Sequence, residues 1–167
     1  MPDNQTAAAS VSTDYDRLFI GGRWVTPSSP YVIEVSSPAT GEQVGRVPRA
    51  VADDVAAACA TARKAFDDDG WSNLAPSERA AVLTRAADLL EQRAEHFKTL
   101  LTLETGQPPT IVDLIQFAPD LATLRYCAGA AETFRWREIR DGNYGQMLVT
   151  REPVGVVATL VPWNVPL

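Results

Sequence analysis

The stretch that decides the fold is VGVVATLVPWNVPL, which runs from Val154 to Leu167. Its first part, Val154 to Val161, carries no charge, and such a continuous apolar run is typical of a strand buried on both faces in a parallel sheet. A parallel strand needs a parallel neighbour, reached through a crossover of about a dozen residues or more. No upstream segment has the same character. We therefore expect an α/β protein in which residues 154–167 are the first strand of a sheet left incomplete in this chain, and we interpret the chain as the front part of a larger protein.

Asn164 is a polar residue that follows this run, and it lies between Pro162 and Pro166. In an α/β sheet, the residue just past the carboxyl end of a strand faces the crevice where ligands bind. A side-chain amide in that position can donate a hydrogen bond to a developing oxyanion. The alternative is that Asn164 simply turns the chain after the strand. The local sequence leaves both interpretations open.

Two upstream regions predict antiparallel structure. In QMLVTREP, Met147 and Val149 are two residues apart and so share one face of a strand. This alternation is typical of a half-exposed antiparallel ribbon strand, which we place at residues 143–153. Near the start of the chain, Gly21 and Gly22 separate two short apolar runs, and this pattern predicts a two-residue hairpin.

Helices are predicted between these strand regions. The first begins at Ala52, the second has Pro76 as its first residue, and the third runs from Phe117 to Phe134. Apolar residues recur at spacings of three and four and predict the buried faces. These residues are Val55, Cys59, Ala62 and Phe66 in the first helix, Val82, Leu83, Ala86, Leu89 and Leu90 in the second, and Leu121, Leu124, Ala128 and Ala131 in the third.

The composition is that of a soluble globular protein, with 46% hydrophobic and 22% charged residues in a chain of 167. The formal net charge of −6 argues against binding to nucleic acid or to an anionic membrane surface. Arg135, Arg137 and Arg140 form a basic cluster that Glu138 interrupts, and we interpret it as solvated surface.

The beginning of the chain predicts no targeting signal. Residues 1–16 lack the basic and apolar regions of a signal peptide and are interpreted as a disordered leader. No apolar run approaches the length of a membrane helix, so we expect a cytoplasmic protein.

The chemistry-bearing residues outside the PWN stretch are few. Cys59 and Cys127 are not in a CxxC pair and His96 has no partner, so no metal site is predicted, and both thiols are expected to be buried and reduced. No GxGxxG or GxxxxGK[ST] phosphate loop is present.

Taken in order, the motifs resemble the N-terminal part of an NAD(P)⁺-dependent aldehyde dehydrogenase. The motifs are FIGGRWV, SPATGE, ADDVAAACATARKAF, GWSNLAPSERAAVLTRAADLL, LETGQP and REPVGVVATLVPWNVPL. Each is moderately specific, and their order makes the resemblance specific from Phe19 onward. It implies four parts: a leader (1–16), the hairpins and helices of the cofactor-binding domain (17–142), an oligomerisation ribbon strand (143–153), and the first strand of the parallel sheet (154–167).

The resemblance also implies a chemistry. A cysteine thiolate attacks the aldehyde, an asparagine amide stabilises the oxyanion, hydride passes to NAD or NADP, and a glutamate activates water to hydrolyse the thioester. The family's asparagine matches Asn164. The cofactor-lining positions match Leu160, Val161, Pro162, Trp163 and Asn164. A small aldehyde as substrate and a homo-oligomer as the assembly are implied for the full-length family.

Departures from the family pattern limit what the chain can do alone. The family's nucleophilic cysteine and its glutamate lie beyond the position of Leu167, and neither Cys59 nor Cys127 matches the cysteine motif. Gln107 stands where lysine is usual, which a surface helix end tolerates, and Val165 stands where an aromatic residue is common. We expect an N-terminal fragment that is inactive alone. The alternative is a non-catalytic module that assembles with a complete homologue.

Overall fold

A computed structural model describes residues 13–68 and 70–167 of the chain. The strands are β1 (Leu18–Ile20), β2 (Arg23–Val25), β3 (Val32–Ser36), β4 (Gln43–Pro48), β5 (Arg137–Gly142) and β6 (Gly145–Thr150). The helices are α1 (Ala52–Asp68), α2 (Pro76–Gln92), α3 (Ala94–Thr105), the one-turn α4 (Pro109–Ile111) and α5 (Ala118–Thr133). A 3₁₀ turn (Trp71–Asn73) precedes α2, and a π-helix (Val112–Phe117) joins α4 to α5.

The strands form three two-stranded antiparallel sheets, pairing β1 with β2, β3 with β4, and β5 with β6. Gly21 and Gly22 connect β1 to β2 with φ angles of 62° and 75°, the left-handed conformation that glycine adopts without steric cost. The predicted hairpin is confirmed. Phe19 and Trp24 pack edge to face across it, with ring centroids 5.2 Å apart.

The helices meet around a small apolar core. Its buried apolar members are Ala87 on α2, Leu101 on α3, Val112 and Phe117 in the π-helix, and Ala128 on α5. Arg125 ties α5 to α2 because its guanidinium lies 2.9 Å from Asp88 and 2.6 Å from Glu91. The predicted inward face of α5 is confirmed.

Helix starts follow the local sequence. Pro76 is the first residue of α2, as predicted, and Glu78 accepts a hydrogen bond of 2.7 Å from the Ala75 N–H, which would otherwise lack a helical partner. In α1 the same role falls to Asp54, which accepts 2.9 Å hydrogen bonds from the backbone N–H groups of Val51 and Ser28. Asp54 thus joins the helix start to the loop before β3.

Replacing Asp54 by asparagine tests this contact. The hydrogen bonds from Val51 and then Ser28 lower the pKa of Asp54. Its stabilising contribution is therefore present above the ordinary carboxyl pKa and is lost as the pH falls through the lowered value. We expect Asp54→Asn to lower the thermal midpoint by about 3 °C at neutral pH, as a lost cap does in a chain of this size, and to flatten the acid side of the stability profile. Asp53→Asn, one residue earlier and exposed, is the control, and equal effects of the two substitutions would contradict the assignment.

Two of the sequence motifs meet at the end of α3. Gly106 of LETGQP ends the helix with a φ of 69°, and its N–H donates a 3.0 Å hydrogen bond to the Thr102 carbonyl. A Cβ at Gly106 would lie 2.7 Å from Pro38 Cγ and 3.2 Å from the Ala39 nitrogen, both in the SPATGE turn. The contact brings residues far apart in the sequence into direct packing.

The predicted buried face of α1 is wrong at Val55 and Cys59, although Phe66 is half-buried. Val55 is 54% exposed, and Cys59 is exposed. Instead the small residues Ala58 and Thr61 face the β1–β2 hairpin, where Thr61 Cγ2 would lie 2.8 Å from a Cβ at Gly21. Helix periodicity identified an apolar stripe, but the close approach of the hairpin selects the side with small residues.

The prediction of two buried thiols is also wrong, because Cys127 on α5 is exposed as well as Cys59. Buried Ala128, the next residue, takes the inward position on α5. Each cysteine lies on a helix side that nothing in the described part of the chain covers.

Three further features of the structure differ from the sequence predictions. Val154–Val161 forms no strand in this structure, because no described segment offers it a hydrogen-bonded neighbour. The antiparallel ribbon begins earlier than predicted, at Arg137. Residues 1–12 of the predicted leader lie outside the described residues, but Tyr15, within the leader, donates a 2.9 Å backbone hydrogen bond to Arg46 and so has a defined contact.

Candidate functional site

The five predicted site residues, Leu160 to Asn164, lie in the irregular segment that follows β6. All five are exposed, with Leu160 at 91% and Trp163 at 58%. They are adjacent in space because they are adjacent in the chain, and no other described element packs them into a closed pocket around Asn164. The segment presents apolar side chains and one amide on an open surface.

A tight turn sets the position of Asn164. The Val165 N–H donates a 3.3 Å hydrogen bond to the Pro162 carbonyl, so Trp163 and Asn164 are the two central residues of the turn. Asn164 therefore lies in a turn after the apolar run, and this backbone position is compatible with both roles considered for its side chain. The turn uses the backbone only, and the Asn164 carboxamide makes no side-chain hydrogen bond to any residue in 13–68 or 70–167. Its N–H groups stay available to a ligand.

The start of the apolar run lies beside α1. Gly155 has a φ of 103°, and a Cβ built there would lie 3.4 Å from Arg63 Nη1. Arg63 in turn donates a 2.7 Å hydrogen bond from Nε to Asp67. This bond lowers the pKa of Asp67 and raises that of Arg63, so both groups stay charged around neutral pH. The run therefore starts next to the Arg63 side chain of α1.

Sequence reasoning missed a polar pair next to the π-helix. Gln107, predicted to sit at a surface helix end, is half-buried, and its Oε1 accepts a 2.6 Å hydrogen bond from Gln116 Nε2. Gln116 is 1% exposed, and its own Oε1 has no partner. A lysine at position 107, usual in the resembled family, would bring a donor where Gln107 brings an acceptor. No local signal marks this pair, because the two residues lie in different elements.

The described residues contain no group of three metal-ligating side chains arranged around a common point. Within that same part of the chain, no helix is long and apolar enough to cross a membrane.

The known proteins that resemble this chain in sequence and in structure share one family. The model of the aldehyde dehydrogenase family matches residues 24–167. The crystal structure of a Mycobacterium tuberculosis aldehyde dehydrogenase complexed with NAD⁺ is 53% identical in sequence with a TM-score of 0.89, and the match covers 93% of this chain and 32% of that one. The geranial dehydrogenase of Castellaniella defragrans is 35% identical, over 94% of this chain and 33% of its own. The NADP/NAD-dependent aldehyde dehydrogenase PuuC of Escherichia coli is 34% identical, over 98% of this chain and 33% of its own.

The chain therefore belongs to the aldehyde dehydrogenase family. Its mixture of helices and small antiparallel sheets is the N-terminal part of that fold. The chain spans about a third of the length of the relatives it matches.

Proposed function

We propose that this chain contributes the oxyanion-stabilising amide and part of the cofactor wall to a catalytic unit that oxidises an aldehyde to a carboxylic acid with NAD or NADP. The observation that carries the proposal is the presentation of Asn164. Its carboxamide stands on a proline-flanked turn at the end of an apolar run, without a hydrogen-bond partner among the described residues. In the complete catalytic unit, surrounding residues would hold this donor in place before charge develops on a substrate oxygen.

In the proposed reaction, a thiolate attacks the carbonyl carbon and the π electron pair moves to oxygen. Asn164 Nδ2–H donates to that oxygen and stabilises the negative charge. As the pair returns to form the thioester, the carbon releases hydride, and a bound NAD or NADP would be the acceptor of that hydride. Water activated by a carboxylate then releases the acid and restores the thiol. The proposal assigns that cysteine and that carboxylate to the part of a full-length family member that follows the position of Leu167.

The residues present fit one side of a dinucleotide. Leu160, Val161 and Trp163 offer apolar surface for a planar ring, and Asn164 offers a donor beside it. Phosphate contacts would have to come from elsewhere, since the described residues contain no glycine-rich phosphate loop. The chain therefore holds part of a cofactor site and not the whole.

A second candidate function is a non-catalytic module that assembles with a complete homologue. Val154 is 90% exposed and Leu160 is 91% exposed. An exposed apolar run without charges is prone to associate with another chain, so this exposure favours a partner protein that covers the run. Strand β6, proposed as an oligomerisation ribbon, has one edge that pairs with β5 and another that no described strand occupies. Independently of the module, we propose a cytoplasmic location for the protein and a homo-oligomer as the assembly of its full-length form.

A chimera separates the two functions. The purified chain, residues 1–167, is expected to form no NADH or NADPH above background with aldehydes, since it has no matched nucleophile. Grafted in place of the matching third of the M. tuberculosis relative, it is expected to support turnover, measured by absorbance at the reduced nicotinamide band. A folded chimera without activity would favour the module, and thiol-dependent turnover by the chain alone would contradict the division of roles.

A further inference from the structure

A cavity of 210 Å³ lies between α3 and the β3–β4 sheet, and we call it the α3 cavity. Most of its walls are aliphatic side chains of the sheet and the helix: Val35, Val44, Val47, Leu100 and Leu103. Thr13 and Tyr15 line the same cavity from the beginning of the described part of the chain. The α3 cavity therefore adjoins the point at which residues 1–12 join the fold.

The first described residues run alongside the outer edge of β4, parallel to it. The Arg46 N–H donates a 3.3 Å hydrogen bond to the Thr13 carbonyl, and the Tyr15 N–H donates a 2.9 Å hydrogen bond to the Arg46 carbonyl. Asp14 is the bridge partner of Arg46, and their side chains form an ion pair of 3.5 Å. In a parallel alignment, the residues before Thr13 lie beside the start of β4 at Gln43.

The alternation of side chains along this segment indicates which residue would face α3. Thr13 and Tyr15 line the α3 cavity, whereas Asp14 lies on the opposite face with its ion-pair partner. Because side chains alternate along an extended chain, residue 11 shares the face of Thr13 and Tyr15. That residue is Val11, which has a serine on either side and is the one branched apolar residue among residues 1–12. The segment thus has the pattern of a strand with one face on the cavity.

We propose that residues 10–12 follow the outer edge of β4 and that Val11 occupies the α3 cavity against Val44 and Leu103. The cavity has room for an isopropyl group, and the contact removes apolar surface of the cavity and of the valine from water. The same segment covers part of the β4 edge, where another chain could otherwise pair. Part of the predicted disordered leader is therefore an interaction segment for the chain's own surface. This role does not depend on the aldehyde chemistry.

Val11→Asp in the whole chain tests the contact. A carboxylate buried without a partner is costly, and Glu104, which also lines the cavity, adds repulsion between like charges. We expect the thermal midpoint to fall by about 3 °C. Ala8→Asp places the same charge three residues earlier, on the opposite face of the alternation, and is expected to leave the midpoint unchanged. Far-ultraviolet circular dichroism below the transition verifies that each variant keeps its fold.

Nuclear Overhauser effects between methyl groups test the position of Val11 without reference to stability. We expect a cross-peak between the methyl groups of Val11 and Leu103 in the original chain, assigned by its loss in Val11→Asp and its retention in Ala8→Asp. Absence of that cross-peak would overturn the proposal. An unchanged midpoint in Val11→Asp, or an equal decrease in the two variants, would overturn it as well.

Discussion

Asn164→Ala in an active chimera is expected to lower kcat by about 10²–10³-fold, equivalent to about 2.7–4 kcal/mol of lost transition-state stabilisation. The amide donates to an oxygen that carries charge only during the reaction, so its loss affects the transition state more than the bound cofactor. The measurement is a steady-state rate with the aldehyde, together with the Kd for NAD⁺, which is expected to change little.

Two controls accompany this substitution. Asn143→Ala changes an exposed asparagine in the two-residue turn between β5 and β6 and is expected to leave kcat unchanged. Asn164→Asp keeps the shape but replaces the donor by a negatively charged acceptor, and it is expected to lower kcat at least as much as Asn164→Ala. An unchanged kcat in Asn164→Ala, with hydride transfer shown to limit the rate, would remove the catalytic role and leave the turn as the function of Asn164.

Gly106→Ala is expected to destabilise the chain by about 2–5 kcal/mol, measured by urea unfolding. A residue with a Cβ at a φ of 69° costs about 1–2 kcal/mol, and the overlap with Pro38 adds a cost of about 1–3 kcal/mol. The backbone nitrogen of Ala39, 3.2 Å from the new atom, limits how far the turn can yield.

Gly129→Ala is the matched control, because the substitution is chemically identical. Gly129 lies inside α5, and a Cβ there would meet nothing within 4 Å. Alanine is therefore expected to stabilise the chain by about 0.5–1 kcal/mol, through the smaller backbone entropy lost on folding. Opposite signs for these two Gly→Ala substitutions would establish that the left-handed φ of Gly106 and its contact with the SPATGE turn, and not the loss of glycine as such, set the cost at position 106.

Local chemistry accounts for what could be predicted. The Gly21-Gly22 turn and the start of α2 at Pro76 depend on φ preferences and missing N–H groups that residues carry wherever they stand. The inward face of α5 followed from spacing because α2 covers that side. The family resemblance likewise depended on short motifs in a fixed order, and it pointed to Asn164 as the candidate donor.

The wrong prediction for the buried side of α1 has another cause. Val55 and Cys59 belong to the predicted apolar stripe of α1, yet the β1–β2 hairpin approaches the helix at Ala58, Thr61 and Ala62. Periodicity finds apolar residues, but it does not state which neighbour arrives or how close it comes.

The sequence by itself determined the turns, the helix starts, the family and the identity of the candidate oxyanion donor, since each depends on residues close together in the chain. Only the tertiary structure decided that Val154–Val161, without a strand neighbour among the described residues, stays irregular, that Gly106 packs on Pro38, and that Arg79, Arg137 and Arg151 line one depression of the surface. These features depend on hydrogen bonds, steric contact and charge between residues far apart in sequence. Whether an apolar run becomes a strand depends on a neighbour that can satisfy its backbone, and that neighbour is not encoded in the run.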